Sequence, residues 1–230
     1  MPNIKVHSPD GEFSAYLAVP ENQTGPGILM IQEIFGVNQD MRDHCDAMAK
    51  QGYFALCPDL YWRLKPGIQL TDQSNEEWKQ AAELYQALDV DKAVEDLQVC
   101  LSFLRSTDGC TGKIGSIGFC LGGLLAYLMA TRTSSDCNIG YYGVGIEAKL
   151  EEAVNINKPI MLHIAEEDQF VPKNAQQKIK SGLIDNPNIT VHSYPDMNHA
   201  FARHKGTHYD AEAAILANQR SAELLSANLW

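Results

Sequence analysis

The chain has 230 residues, 45% of them hydrophobic and 20% charged, which is ordinary globular composition and enough for one large core. Its formal net charge of -11 excludes the basic face that nucleic-acid binding requires. No apolar run reaches transmembrane length, and Met1–Lys5 lacks the apolar stretch of a secretory signal. Six scattered cysteines without a Cys-x-x-Cys pair point to a reducing compartment, and a cytoplasmic location is the expectation.

In chain order, Phe13–Val19 reads as a strand ended by Pro20. Gly27–Ile31 is a continuous apolar run, the mark of a strand covered on both faces. A helix from about Asn38 to Gln51 follows, with Asn38 as N-cap and Gly52 as stop. Tyr53–Cys57 is a strand closed by Pro58, and Tyr61–Ser74 is polar and loop-like. Glu76–Leu88 is helix-like. Asp91–Arg105 is a stronger amphipathic helix, with Ala93, Val94, Leu97, Leu101 and Leu104 near helical spacing. Thr107–Gly112 is a turn before a strand over Lys113–Phe119. Further strands are expected at Ile139–Gly143, Pro159–Ile164 and Val191–Tyr194, and closing helices at Pro172–Leu183 and Tyr209–Leu229. The alternation argues for a mostly parallel sheet with helices on both faces, in one domain over residues 1–230.

One stretch carries chemistry. Gly118-Phe119-Cys120-Leu121-Gly122-Gly123 directly follows the apolar run Ile114–Ile117 and precedes Leu124–Ala130. Gly-x-nucleophile-x-Gly between a strand and a helix is the nucleophile elbow of the α/β-hydrolases, here with a thiol. The turn strains its corner residue, and glycines on either side let strand and helix pack closely. The corner side chain is expected to point into solvent, and the helix N-terminus behind it favours an anion there. The bland alternative is a small buried cysteine near a tight turn.

The α/β-hydrolase order is nucleophile, acid, histidine. Asp168 and His199 each lie just past the carboxyl end of an expected strand, the edge where open α/β sheets bind ligands. His199 would take the thiol proton, and Asp168 would orient the imidazole. Glu166, Glu167 and Asp196 compete for the role of acid; Asp168 is preferred because Phe170-Val171-Pro172 leads into a helix and fixes the loop. His7, His44, His163 and His192 fall early or inside expected elements and read as structural. His204 and His208 are spaced as a metal pair could be, but Gly206 separates them and no His-Glu-x-x-His signature is present. No metal and no cofactor is expected.

Five blocks resemble the dienelactone hydrolase (carboxymethylenebutenolidase) family: Gln32-Glu33-Ile34-Phe35-Gly36-Val37-Asn38, Cys57–Tyr61, the elbow, Gly140-Tyr141-Tyr142-Gly143 and Asn198–Arg203. The resemblance implies an α/β-hydrolase fold and a triad of Cys120, His199 and Asp168. It implies that Glu33 interacts with the resting thiol and gates it, and that the N–H groups of Leu121 and Ile34 form the oxyanion hole. It further implies that Arg203 binds a substrate carboxylate. A second arginine of the family falls here at Trp78, and a serine common after the histidine is Ala200, so the pocket is expected to be more apolar. The reading is a thiol hydrolase of small lactones or activated esters. A redox-sensing thiol protein on the same scaffold is the alternative, which turnover of an aryl ester separates from a catalyst.

Overall fold

The computed structural model describes residues 3–230. It holds an eight-stranded sheet in the order β1-β2-β4-β3-β5-β6-β7-β8. Contacts gather into two compact units, one ending at Ser116 and the other beginning at Ile117, so the division falls inside β5 (Cys110–Phe119).

The first unit opens with a hairpin, β1 (Asn3–Ser8) antiparallel to β2 (Gly11–Ala18). β1 escaped the sequence reading because its apolar alternation is too short to stand out: Val6 is buried while its neighbours Lys5 and His7 are exposed. β3 (Gly25–Ile31) is buried along its whole length, as its unbroken apolar run predicts. It pairs parallel with β4 (Phe54–Pro58), and β2 pairs antiparallel with β4.

Between β3 and β4 runs α1 (Gln39–Lys50). Asn38 caps it, its Oδ1 accepting the Met41 N–H at 3.1 Å, and Met41, Cys45 and Met48 form its buried stripe. The expected stop at Gly52 is present, with φ at +97°. α2 (Asn75–Ala87) starts at Ser74, and α3 (Val90–Arg105) starts at Asp89, whose Oδ1 accepts from the N–H groups of Asp91 and Lys92. β5 begins at Cys110, inside the segment expected to be a turn. Its first residues alternate between exposed and half-buried, a weak strand signal in sequence, and only its second half is fully buried.

The second unit continues with α4 (Leu121–Arg132), buried on every side from Leu121 to Thr131, as the apolar character of that segment requires. β6 (Cys137–Tyr141), β7 (Ile160–Ala165) and β8 (Ile189–Tyr194) run parallel to one another. α5 (Lys173–Leu183) and α6 (Ala211–Leu229) are the expected closing helices, α6 capped by Asp210. Two short 3-10 helices, Ile146–Ala148 and Leu150–Asn155, follow β6 and were not expected; pieces this short carry no readable period. Among the described residues no helix is long and apolar enough to cross a membrane.

Candidate active site

The elbow is built as its glycines dictate. Cys120 sits between β5 and α4 with φ +56° and ψ -113°, a conformation that an L-residue adopts only under constraint. Its N–H donates to the Tyr141 carbonyl at 3.0 Å, and its own carbonyl accepts from Gly123 and Leu124 as the first bonds of α4. The N–H groups of Leu121 and Gly122 therefore precede intrahelical bonding, at the positive end of the helix. A Cβ on Gly118 would stand 1.8 Å from the Gly122 carbonyl oxygen, and one on Gly123 would stand 2.6 Å from that of Tyr141. Only hydrogen fits at either place.

β7 and β8 deliver the partners. Asp168 lies just past β7. Its Oδ1 accepts the N–H groups of Phe170 (2.8 Å) and Val171 (3.3 Å), and its Oδ2 meets His199 Nδ1 at 2.7 Å. The loop after β8 presents His199 by way of two left-handed residues, Asp196 (φ +60°) and Ala200 (φ +65°). The rings of Phe170 (4.8 Å) and Tyr142 (5.0 Å) lie edge-on to the imidazole. His199 Nε2 is buried without a hydrogen bond of ordinary geometry among the described residues. Burial alone would push the His199 proton affinity down. The nearby Cys120 charge and the Asp168 carboxylate overcome that and raise its pKa to about 10.

The candidate triad residues are less accessible than the sequence suggested. Cys120, expected to point into solvent, is 8% exposed, with Asp168 at 5% and His199 at 3%. The loops that carry Asp168 and His199 are themselves packed, Val171, Ala200 and Phe201 being buried beside them, so the three candidate side chains lie beneath the surface. The rival acids are accounted for: Glu166 and Glu167 pair with Lys180 (3.4 Å) and Lys173 (2.7 Å), and Asp196 is exposed. Among the described residues no group of three or more His, Cys, Asp or Glu is arranged to hold a metal ion. His204 instead meets the Tyr209 ring edge-on at 5.5 Å.

Arg203 is in the same loop as His199. It is 7% exposed, and its N–H donates to the Ala200 carbonyl at 3.0 Å. The other candidates belong to the first unit. Glu33 is buried, and the Ile34 carbonyl accepts the Tyr61 hydroxyl at 3.1 Å. Gln32 explains part of its block: its Oε1 accepts the Leu60 N–H at 3.2 Å, tying the loop after β3 to that after β4. Gly36 (φ +78°) explains another part, since a Cβ there would lie 2.1 Å from the Ile68 carbonyl oxygen. Trp78, on α2, donates its indole N–H to the Asp72 carbonyl (3.2 Å) and packs edge-on to Phe35 at 5.1 Å.

Tyr142 is the residue that sequence reasoning missed. It holds φ at +38°, donates its N–H to the His163 carbonyl at 2.7 Å and lies against His199. The glycines on both sides of the Tyr141-Tyr142 pair were the available signal.

A model of the dienelactone hydrolase family matches residues 13–229. The chain belongs to the dienelactone hydrolase family. A relative from Azospirillum brasilense, provisionally named a carboxymethylenebutenolidase, is 47% identical over 222 residues, covering 96% of this chain and 95% of its own. The carboxymethylenebutenolidase of Pseudomonas putida is 40% identical over 224 residues, covering 97% and 95%. A crystal structure from Klebsiella pneumoniae, provisionally named a dienelactone hydrolase, has a TM-score of 0.85 at 24% identity, covering 97% of both chains. That last likeness speaks to the fold, an α/β-hydrolase. The family is hydrolytic, and the chain is a carboxylic ester or lactone hydrolase.

Proposed function

We propose that the chain hydrolyses small lactones or activated esters through an acyl-thioester on Cys120. The observation that carries this reading is the buried His199–Asp168 pair at 2.7 Å, with Cys120 the neighbour whose charge most raises the imidazole. The Cys120 thiolate attacks the carbonyl carbon, and the oxyanion is held by the Leu121 N–H and, on the family pattern, that of Ile34. Collapse breaks the carbon–oxygen bond, and the His199 imidazolium protonates the departing oxygen. Acylation removes the thiolate charge, and with it the largest force raising the imidazole. His199, neutral after that transfer, therefore stays neutral, accepts a proton from water and delivers hydroxide to the thioester. The acid leaves and the thiolate returns. Asp168 holds the Nδ1–H throughout.

Two relatives named carboxymethylenebutenolidase suggest a lactone substrate bearing a carboxylate, and Arg203 is the candidate to bind that group. Trp78 and Ala200, in place of the family's arginine and serine, argue for a more apolar acyl group. Arg203→Ala is expected to cost anionic lactones roughly tenfold to a hundredfold in kcat/KM and neutral aryl esters only a few-fold. Equal losses would make the arginine a support of its loop. On the family pattern Glu33 gates the thiol, so Glu33→Gln should lower kcat and make Cys120 more open to oxidation by peroxide; unchanged turnover and an unchanged oxidation rate leave Glu33 a structural residue.

The central test is chemical. Burial holds the thiols of Cys45, Cys100, Cys110 and Cys137 above their ordinary range, so iodoacetamide should label Cys120 first and abolish p-nitrophenyl acetate turnover. Substrate should protect it, and Cys120→Ala should be folded and inactive. Near-normal turnover by that variant defeats the proposal, and a single acylation without turnover in the wild type makes the thiol a sensor.

A further inference from the structure

The second unit holds another polar cluster, buried at its centre and reaching the surface at Asn218 and Arg220, which no step of the hydrolysis uses. It links Tyr141 at the end of β6, His163 in β7, Tyr194 at the end of β8, and Asn218, Arg220 and Ser221 of α6. Its proton direction is set from the far end, where Asn218 Oδ1 can only accept and Tyr141 must donate to it. Arg220 has only donors, so its Nη1 donates to the Tyr194 hydroxyl (3.2 Å). Tyr194 then gives its own proton to His163 Nδ1 (2.7 Å). The neutral ring keeps its proton on Nε2, which donates to Ser221 Oγ (3.0 Å). Ser221 donates to the Tyr141 hydroxyl (2.7 Å), and Tyr141 donates to Asn218 Oδ1 (2.9 Å).

Each strand in this chain holds part of the triad by its backbone. The Tyr141 carbonyl accepts the Cys120 N–H (3.0 Å). The His163 carbonyl accepts the N–H of Tyr142 (2.7 Å), whose ring lies on His199. The Tyr194 carbonyl accepts the N–H groups of Glu166 (3.1 Å) and Met197 (3.4 Å), at the roots of the loops that present Asp168 and His199. We infer that His163 is a positioning residue for hydrolysis: the chain from Arg220 through Tyr194, His163, Ser221 and Tyr141 to Asn218 pins three strand ends to α6 and thereby keeps Cys120, Asp168 and His199 in register. The chain runs only with His163 neutral. Burial first, then the facing charges of His192 on β8 and Arg220 on α6, hold its pKa down to about 3.

The inference rests on the thiol-triad reading, and the two fail differently. Activity retained in Cys120→Ala would remove the triad and leave the His163 chain intact. Ser221→Ala cuts the chain in the middle, Tyr194→Phe cuts it at the Arg220 end, and Ser221→Thr keeps the hydroxyl. With aryl-ester kcat measured per titrated Cys120, both cuts should lower kcat about tenfold with KM within about twofold, and Ser221→Thr should recover most of the loss. A lowered Tm with wild-type kcat per titrated site in the two cuts would make the chain merely structural and overturn the inference. The wild-type protein supplies a test independent of variant folding. Ring-nitrogen NMR of 15N-histidine-labelled enzyme should find His163 neutral, with its proton on Nε2, over about pH 5 to 8. The Nδ1–H form or the imidazolium in that range would overturn the inference.

Discussion

His199 and His163 are both buried in the second unit, and their proton affinities move in opposite directions. Burial pushes both down. At His199 the Cys120 charge and a carboxylate 2.7 Å from Nδ1 reverse it, and the pKa rises to about 10. At His163 the ring nitrogens meet only hydroxyls, the facing charges on His192 and Arg220 are positive, and the pKa falls to about 3. One ring is held ready to carry a proton and the other is kept from taking one. Burial therefore does not separate a histidine proposed to carry protons from one proposed only to position its neighbours. The group on the second ring nitrogen does.

The most severe way to break the contrast is to remove the carboxylate. Asp168→Asn keeps a side chain of the same shape but no charge, and its amide favours the wrong imidazole tautomer. By analogy with the serine-protease triad, kcat should fall by roughly 10³- to 10⁴-fold. An aryl-ester assay on folded variant, with circular dichroism confirming the fold, decides it. A loss under tenfold would mean that Cys120 and His199 act without the acid.

The next effect is on stability. His163 takes a proton near pH 6.5 when unfolded but only near pH 3 when folded. Between those values the unfolded chain binds more protons, so stability is fully present above about pH 6.5 and drains away as pH falls toward 3. At pH 5 this one group should cost about 2 kcal/mol relative to neutral pH. Urea melts across that range should show the slope, and His163→Gln, though less stable at pH 7, should show less of it. Equal slopes in the two proteins would place the acid sensitivity elsewhere.

Sequence exposed the environment of His199 more readily than that of His163. Gly118 and Gly122 around Cys120 announce a sterically forced turn, and Asp168 and His199 lie where strand ends must place them. Which of Glu166, Glu167 and Asp168 is the acid was less legible, because three adjacent carboxylates differ only in where the loop turns them. Lysines neutralise two, and the backbone N–H groups of Phe170 and Val171 fix the third. His163 was readable as structural from its apolar run, but its partners on α6 lie 58 positions away, a long-range pairing with no local pattern. The burial of Cys120 was misread for a related reason, since an elbow motif specifies its corner and not the loops that close over it. The hairpin strand β1 and the 3-10 helices were lost to shortness.

The finest test leaves Asp168 in place and removes only the thiol. In Cys120→Ala the His199 ring stays buried and keeps its Nδ1 partner, so the pull of burial remains and the Asp168 contribution remains. What disappears is the first of the forces raising its pKa, the Cys120 charge. The His199 pKa should drop below about 10, by roughly one pH unit or more. Histidine NMR through an alkaline titration reads this directly, with His163 in the same spectrum as an internal control that should not move. The drop bears on turnover, because acylation removes the same charge as the alanine does, and a lowered His199 is what lets the acyl-enzyme recruit water. A ring that still titrates near 10 in Cys120→Ala would assign the whole elevation to Asp168. The imidazole would then take a proton back from solvent in the acyl-enzyme at neutral pH, and a different base would have to activate the water.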